Sequence, residues 1–391
     1  MKILICSHFF APSTGGVETY ARLLAEGLTR RNEQTHEIEV TVVTHTPAQP
    51  NYDAQFPFQI VRQPTWFDLL RLIRGADVVQ LAGPSLLPML LALILGRPFV
   101  IEQHGYQAVC PSGMLLYEPG KEVCPGHFQN ARYEKCVRCN RESLSWGKSL
   151  QMLLLTFPRR WLCRRAAANI AITSHVAHKL DLPKTHIVYY GVPEPSSCTA
   201  SSEHSQGLGF AYVGRFVSEK GILVLLHAAR RLRDQGYSFS LKLIGDGPQR
   251  QELETSVTAL ALDRQVTFTG FLNGRELEEA LSDAAVVVMP SICEETAGLA
   301  AIEQMFRARL VIASDIGGLG EVVGSTGLKF PPGDVEALAN CMKRVVEQPD
   351  IVLVLGRQAR SRALDCFGLE RMLDEYMVIY SCLCAVMGGR Q

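Results

Sequence analysis

The chain has no excess of charge of either sign. Its 391 residues carry 39 Lys+Arg against 39 Asp+Glu, a formal net charge of zero. No global field therefore gathers nucleic acid or an acidic polymer. It also lacks a long apolar run: the most hydrophobic segment, Leu86 to Leu95, contains Pro88 and falls far short of the roughly 20 residues a membrane-spanning helix needs. No secretory leader is legible, because the apolar stretch Ile3 to Cys6 stops at Ser7-His8 rather than at a cleavage site. Two motifs are missing as well. No G-x-G-x-x-G dinucleotide fingerprint occurs, and no D-x-D that would tie a divalent metal to a diphosphate. Twelve cysteines in a chain of intracellular character indicate reduced thiols or a metal site rather than a disulfide framework. The expected compartment is the cytosol.

What is present describes a globular α/β protein. Residues are 47% hydrophobic and 20% charged, and the length exceeds one ordinary core, so two domains are expected. Strand-like runs recur at Lys2–Ser7, Glu39–Thr44, Asp77–Leu81 and Phe99–Glu102, with helix-periodic stretches between them. That alternation predicts a parallel sheet covered on both faces. Ala171–Ser174 reads as the last strand of this half. The segment from Pro195 to Gly207, rich in Ser, Pro and Glu, reads as a linker. In the second half Phe210–Val213, Leu241–Gly245, Val266–Thr269, Val286–Met289 and Val311–Ala313 repeat the pattern, and Phe367 to Cys384 reads as an amphipathic helix.

The most informative stretch is Val286 to Phe306, VVVMPSICEETAGLAAIEQMF. A buried-type strand breaks at Pro290-Ser291, passes an acidic loop and enters a helix near Ala297-Gly298. Such a turn presents backbone N–H groups, here Gly298 and Leu299, and a positive dipole end to an anion. Glu295 and Glu303 flank it. Carboxylates so close to an anion site fit a ligand that carries sugar hydroxyls as well as phosphate; solvated acids on an amphipathic helix are the plainer alternative. Further back, GRFVSEKG (Gly214 to Gly221) places Arg215 and Lys220 five residues apart beside a strand–helix turn. A bidentate guanidinium plus a mobile ammonium suit a diphosphate.

In the first half, Gly15-Gly16 lies between strand and helix and lets a backbone approach a ligand, though a simple tight turn is the plainer reading. His104 closes a strand at the sheet edge and precedes a glycine. The insertion 105–148 is polar, with little periodicity, and carries Cys110, Cys124, Cys136 and Cys139 at C-x13-C-x11-C-x2-C spacing. These four thiols could close a structural zinc site; plain reduced thiols and redox chemistry are the alternatives. Between Arg138 and Lys184 nine Lys/Arg and two acids are interleaved with Trp161, Phe157 and Leu153–Leu155. This fits a peripheral membrane-surface patch or a solvated helix with a buried side.

The two motifs G-R-x-x-x-x-K-G and E-x7-E, with the Gly317-Gly318-Leu319-Gly320-Glu321 turn, resemble those of retaining GT-B glycosyltransferases of family 4 (group 1 glycosyl transferases). The resemblance is tight from Tyr212 to Pro332 and looser before Gly191. It implies two Rossmann-like domains facing each other across a cleft, with the C-terminal helix crossing back to the first. The boundaries would be 1–193, a linker at 194–207, a nucleotide-sugar domain at 208–366, and 367–391. The implied activity is a hexosyltransferase-type transfer from a nucleotide diphosphate sugar to an acceptor hydroxyl, glycan or lipid-linked, with retention and with no catalytic cofactor. The implied catalytic set is His104, Arg215, Lys220 and Glu295. Gly15, Gly16, Gly214, Gly245, Phe271, Gly298, Leu299 and Glu303 would complete the donor site, with Glu18 on the acceptor side. The sequence departs from the family at Thr296-Ala297-Gly298, where Gly-Phe-Gly is usual, and in the cysteine-bearing insertion. A GT-B epimerase or hydrolase and a non-catalytic nucleotide-sugar-binding protein are the competing readings. Nucleic acid is not an expected partner.

Overall fold

The computed structural model describes residues 1–13, 15–35, 37–195 and 208–388. Most of the expected linker, 196–207, lies outside the described residues. The chain forms two compact units. One comprises Met1–Pro119, Cys124–Pro193 and Phe367–Gln391; the other comprises Glu194–Cys366 with the short stretch Gly120–Val123.

The first unit opens β1 (Lys2–Ser7), α1 (Gly16–Thr35), β2 (Glu39–Thr44), β3 (Gln59–Arg62), α2 (Trp66–Gly75), β4 (Val78–Leu81), α3 (Leu86–Ile94) and β5 (Phe99–Gln103). The insertion that follows contains two two-residue strands, β6 (Leu116–Tyr117) and β7 (Glu122–Val123), and helix α4 (Tyr133–Asn140). Then come α5 (Trp146–Cys163), β8 (Ala168–Ala171), α6 (Ser174–Leu180) and β9 (Thr185–Ile187). Seven strands form one parallel sheet in the order β3-β2-β1-β4-β5-β8-β9. Strands β4, β5 and β8 are buried along their whole length, so they lack in–out alternation, and their polar residues Gln80, Glu102, Gln103 and Asn169 are buried as well.

One expectation is corrected here. The strand placed at Ala171–Ser174 ends at Ala171, and the last strand of the sheet is β9. Thr173 leaves the sheet because its hydroxyl accepts the Val176 N–H at 3.3 Å and caps α6.

The second unit contains β10 (Leu208–Val213), α7 (Ile222–Asp234), β11 (Phe239–Ile244), α8 (Arg250–Ala259), β12 (Val266–Gly270), α9 (Gly274–Ala280) and β13 (Val286–Met289). It continues through α10 (Leu299–Phe306), β14 (Leu310–Ser314), α11 (Gly317–Val323), β15 (Leu328–Phe330), α12 (Val335–Glu347) and α13 (Asp350–Cys366). Its parallel sheet runs β12-β11-β10-β13-β14-β15. Leu225, Leu226 and Leu232 of α7 pack into one core with Phe210, Leu241 and Met342.

Both sheets reverse their strand order at one point, between β1 and β4 and between β10 and β13. In open α/β sheets ligands bind beyond the carboxyl ends of the strands that flank such a reversal. The loops that matter are therefore those following β1, β10 and β13.

The final helix, α14 (Leu369–Gly388), belongs to the first unit, where it packs on α1. Gly27 permits this approach: a Cβ there would lie 2.5 Å from a Leu373 methyl carbon. Tyr380 Oη donates to Gln80 Oε1 at 3.0 Å, and both residues are buried. Ion pairs of Arg31 with Glu370 and Asp374 lie at 3.0 and 2.8 Å, with well-exposed acids that add little. Tyr380→Phe leaves the Gln80 oxygen buried without its donor and should cost about 1–3 kcal/mol. A lowered thermal midpoint with loss of α14 hydrogen-exchange protection is the expected readout; an unchanged melt would show that the hydroxyl holds nothing.

Candidate active site

The second unit builds its site from the two loops at the reversal point. Beyond β10 the chain passes Gly214 and Arg215, makes a 3-10 turn over Ser218–Lys220, and enters α7 through Gly221 at φ +67°. A Cβ on Gly221 would lie 2.0 Å from Pro290 O, so glycine alone lets this loop touch the one beyond β13. That contact brings Lys220 to Glu295. Lys220 Nζ is ion-paired with Glu295 Oε1, and Ser291 Oγ donates to the same oxygen at 2.6 Å. The two side chains are 23% and 11% exposed. Burial alone would lower the Lys220 pKa, but the Glu295 carboxylate outweighs it and holds the ammonium above its usual value. Burial would raise Glu295; Lys220, the Ser291 hydroxyl and the Arg215 charge together hold it below the usual carboxylate range. The pair is charged, and it is poised.

The shell around Glu295 was not legible as a site. Gly318 N donates to Glu295 O at 2.6 Å, and Ser314 Oγ donates to Ser291 O at 2.6 Å and to Met289 O at 3.1 Å. Gly317, at φ +59°, would put a Cβ 2.4 Å from Glu295 O. The start of α11 therefore clamps the acidic loop through its backbone. The sequence signal was a glycine pair after a buried strand ending in serine; its target, a main-chain carbonyl, has no signature.

The other expected donor residues of this unit lie on neighbouring elements. Gly298 lies at φ +81° as the N-cap of α10, which begins at Leu299, so the first N–H groups of that helix have no intrahelical partner. Glu303 is half-buried in α10; burial raises its pKa, countered by Arg307. Arg215 is exposed, and its backbone oxygen accepts the Tyr212 hydroxyl at 2.9 Å. Gly245 N donates to Gly270 O at 2.8 Å, joining the ends of β11 and β12, and Phe271 beyond them is 58% exposed.

In the first unit, Gly15 and Gly16 are exposed at the start of α1, and the Glu18 carboxylate folds back over Gly15. His104 is held inside a cage. Its Nδ1 meets Tyr190 Oη at 2.6 Å, its Nε2 lies 3.6 Å from Glu102 Oε2, and Tyr20 packs edge-on at 5.0 Å. Burial pulls its pKa down to about 3, so the imidazole is neutral at physiological pH. Glu102 is fully buried and pushed well up by burial, against the opposing hydroxyls of Tyr20 and Tyr376. His104 is thus a neutral hydrogen-bonding group and not a cation.

The insertion brings its four cysteines together: Cys110, Cys124, Cys136 and Cys139 line one cavity of about 10 Å³. The Cys136 thiol is pushed up to about 12 by burial first and then by Cys110, Cys124 and Cys139. On α5, Trp146, Leu154, Leu155, Phe157 and Trp161 are exposed, and Arg165 stacks on Trp161 at 4.7 Å. A groove of about 570 Å³ runs beside them, lined by Phe128, Tyr133, Phe157, Arg160, Trp161 and Arg164 among others. Among the described residues no helix is long and apolar enough to cross a membrane.

Residues 208–348 match a family model described as glycosyl transferases group 1, and residues 14–194 match one described as glycosyltransferase family 4. A 2-deoxystreptamine glucosyltransferase of Streptomyces kanamyceticus is 32% identical over 261 residues, 61% of this chain and 67% of the relative. An alpha-D-kanosaminyltransferase of the same organism is 30% identical over 299 residues, 75% of this chain and 72% of the relative. Among solved structures, Anabaena HepE in complex with UDP and glucose superposes with a TM-score of 0.73 at 18% identity, covering 97% of this chain and 99% of that one. The likeness to that structure is one of fold: two Rossmann-like units of the GT-B type.

The His104 cage makes a pH prediction. As pH falls below about 6.5 the unfolded imidazole takes a proton that the folded one, titrating near 3, refuses. The contribution of His104 to stability should therefore fall through that window by up to about 1.4 kcal/mol per pH unit. Glu102, which burial keeps protonated in the fold while the unfolded carboxyl is ionised above its ordinary range, contributes with the opposite sign, and Tyr20 and Tyr190 stay neutral. His104→Gln isolates the ring: on acidification its denaturant midpoint should fall less, or rise more, than that of the wild type, and parallel curves would refute the buried neutral ring.

Proposed function

The chain belongs to the group 1, family 4 glycosyl transferases, and from that premise we propose that it moves a hexose from a nucleotide diphosphate sugar to an acceptor hydroxyl with retention at the anomeric carbon. The observation that carries this reading is the Lys220–Glu295 pair beside the uncapped start of α10. As the glycosidic bond breaks, negative charge grows on the departing diphosphate. Lys220, Arg215 and the first N–H groups of α10 are suited to receive it. Glu295 holds the ammonium in place until phosphate oxygens compete for it, and its carboxylate is then available to a sugar hydroxyl. Glu303, kept half-buried, is assigned to the ribose hydroxyls. The fold relative HepE, solved with UDP and glucose, makes UDP-hexoses the first donors to assay.

The first unit is assigned the acceptor, with Glu18 as its contact. The exposed apolar residues of α5, with Lys148, Arg164 and Arg165 exposed among them, support peripheral contact with an anionic lipid surface that presents a lipid-linked acceptor. The transfer needs no divalent metal on the diphosphate, since the two cations and the helix start supply its positive charge.

Lys220→Ala and Arg215→Ala should each slow turnover about 10²- to 10³-fold, the size expected for one removed transition-state donor. Turnover close to wild type in either would sink the charge-stabilising role. EDTA should leave transfer intact; loss of activity that magnesium or manganese restores would overturn the metal-independent route. NMR of the first-formed product reads retention directly. Nucleotide released equally with and without acceptor would instead favour the hydrolase or epimerase reading. Anionic vesicles should retain the wild-type protein and release the Phe157→Ser/Trp161→Ser variant; equal retention would exclude α5 as the contact.

A further inference from the structure

The four insertion cysteines lie about 14, 12 and 3 positions apart in sequence, yet the fold delivers all four to one small cavity. Cys110 comes from the turn after β5, where Cys110 N donates to Tyr106 O at 2.8 Å. Cys124 precedes a Pro125-Gly126-His127 turn with Gly126 at φ +79°. Cys136 and Cys139 lie one helical turn apart on α4. Three backbone N–H groups are aimed at these sulfurs. Those of Gly126 and His127 point at Cys124 Sγ, and Glu118 N donates to Cys139 Sγ at 3.4 Å. A neutral thiol is a poor acceptor, and N–H groups directed at sulfur favour a thiolate. All four cysteines are buried around the same cavity.

We propose that Cys110, Cys124, Cys136 and Cys139 bind one zinc ion as a closed tetrathiolate site that staples the insertion following His104. Binding exchanges four S–H protons, released to solvent, for four Zn–S bonds, and the N–H donors stabilise the resulting net charge. Four cysteines around one cavity of about 10 Å³ suit a single tetrahedrally held ion. Among the described residues no group of three or more side chains already stands in coordinating geometry. Two of the four sulfurs are engaged elsewhere: Cys139 Sγ donates to Leu116 O at 3.3 Å, and Cys110 Sγ meets Ser112 Oγ at 3.3 Å. Deprotonation removes Cys139's donation to Leu116 and any that Cys110 makes to Ser112, which frees both sulfurs to turn inward. With four protein ligands the site has no open position for substrate, so its role is structural.

The test is elemental analysis of the full chain, expressed with zinc and iron both supplied and purified without chelators. About one zinc per chain is expected in the wild type and in Cys382→Ser, whose thiol is exposed on α14, and less than about a tenth in Cys136→Ser/Cys139→Ser. Should the double variant fail to fold, cobalt substitution of the wild type decides the matter. Sulfur-to-cobalt charge-transfer bands and intense visible bands of a tetrahedral site are expected, and their absence overturns the proposal. So does wild-type protein without stoichiometric metal, zinc retained in full by the double variant, or stoichiometric iron in place of zinc.

Discussion

A lysine and a glutamate at the strand-order reversal of the second sheet set the terms for the rest of the second unit. An ammonium taken largely out of water is costly unless a carboxylate meets it, and truncating one partner of such a pair strands the other. The surrounding structure reads as the means of keeping that pair aligned. Gly221 lets two loops touch, Ser291 fixes the carboxylate rotamer, and the glycine pair opening α11 grips the main chain beneath it. Both partners come from loops beyond parallel strands that are hydrogen-bonded neighbours, Phe210 beside Val286 and Ala211 beside Val287. The sheet register therefore sets the approach of the two side chains.

Much of this was visible in the linear chain because two strong periodicities coincide with turn chemistry. The run Val286–Met289 is apolar at every position, as a strand buried on two faces allows, and a Pro-Ser break ends it. Arg215, Lys220, Glu295 and Glu303 could be named because together they match two spaced motifs of one family; taken singly, each spacing also fits a solvated helix face. Their pairing could not. The sequence offered Lys220 to a phosphate and Glu295 to a sugar, and the structure joins them to each other. The capping hydroxyl of Thr173 was misread as strand for a similar reason: a β-branched residue fits either role until its hydrogen bond is seen.

The first unit was harder to read because its chemistry is long-range. Glu102 sat unremarked in a strand, although it faces tyrosines from α1 and α14, more than eighty and two hundred and seventy positions away in sequence. The four cysteines had only one recognisable knuckle among them, so their gathering rested on residue type and count alone, and the fold supplies it. Convergence of distant side chains leaves no periodic trace, so spacing arguments recover sheets and helix faces far better than cages.

The return of α14 to the first unit has a consequence for how the molecule is made. A ribosome finishes every strand of the first sheet, then the whole second unit, before it emits Tyr376 and Tyr380. Until then the amino-terminal half emerges with an apolar flank of α1 uncovered and the Glu102 cage lacking a wall. The second unit, contiguous in synthesis apart from one four-residue excursion, has all its strands and helices in hand before α14 emerges, whereas the first unit waits for the end of the chain.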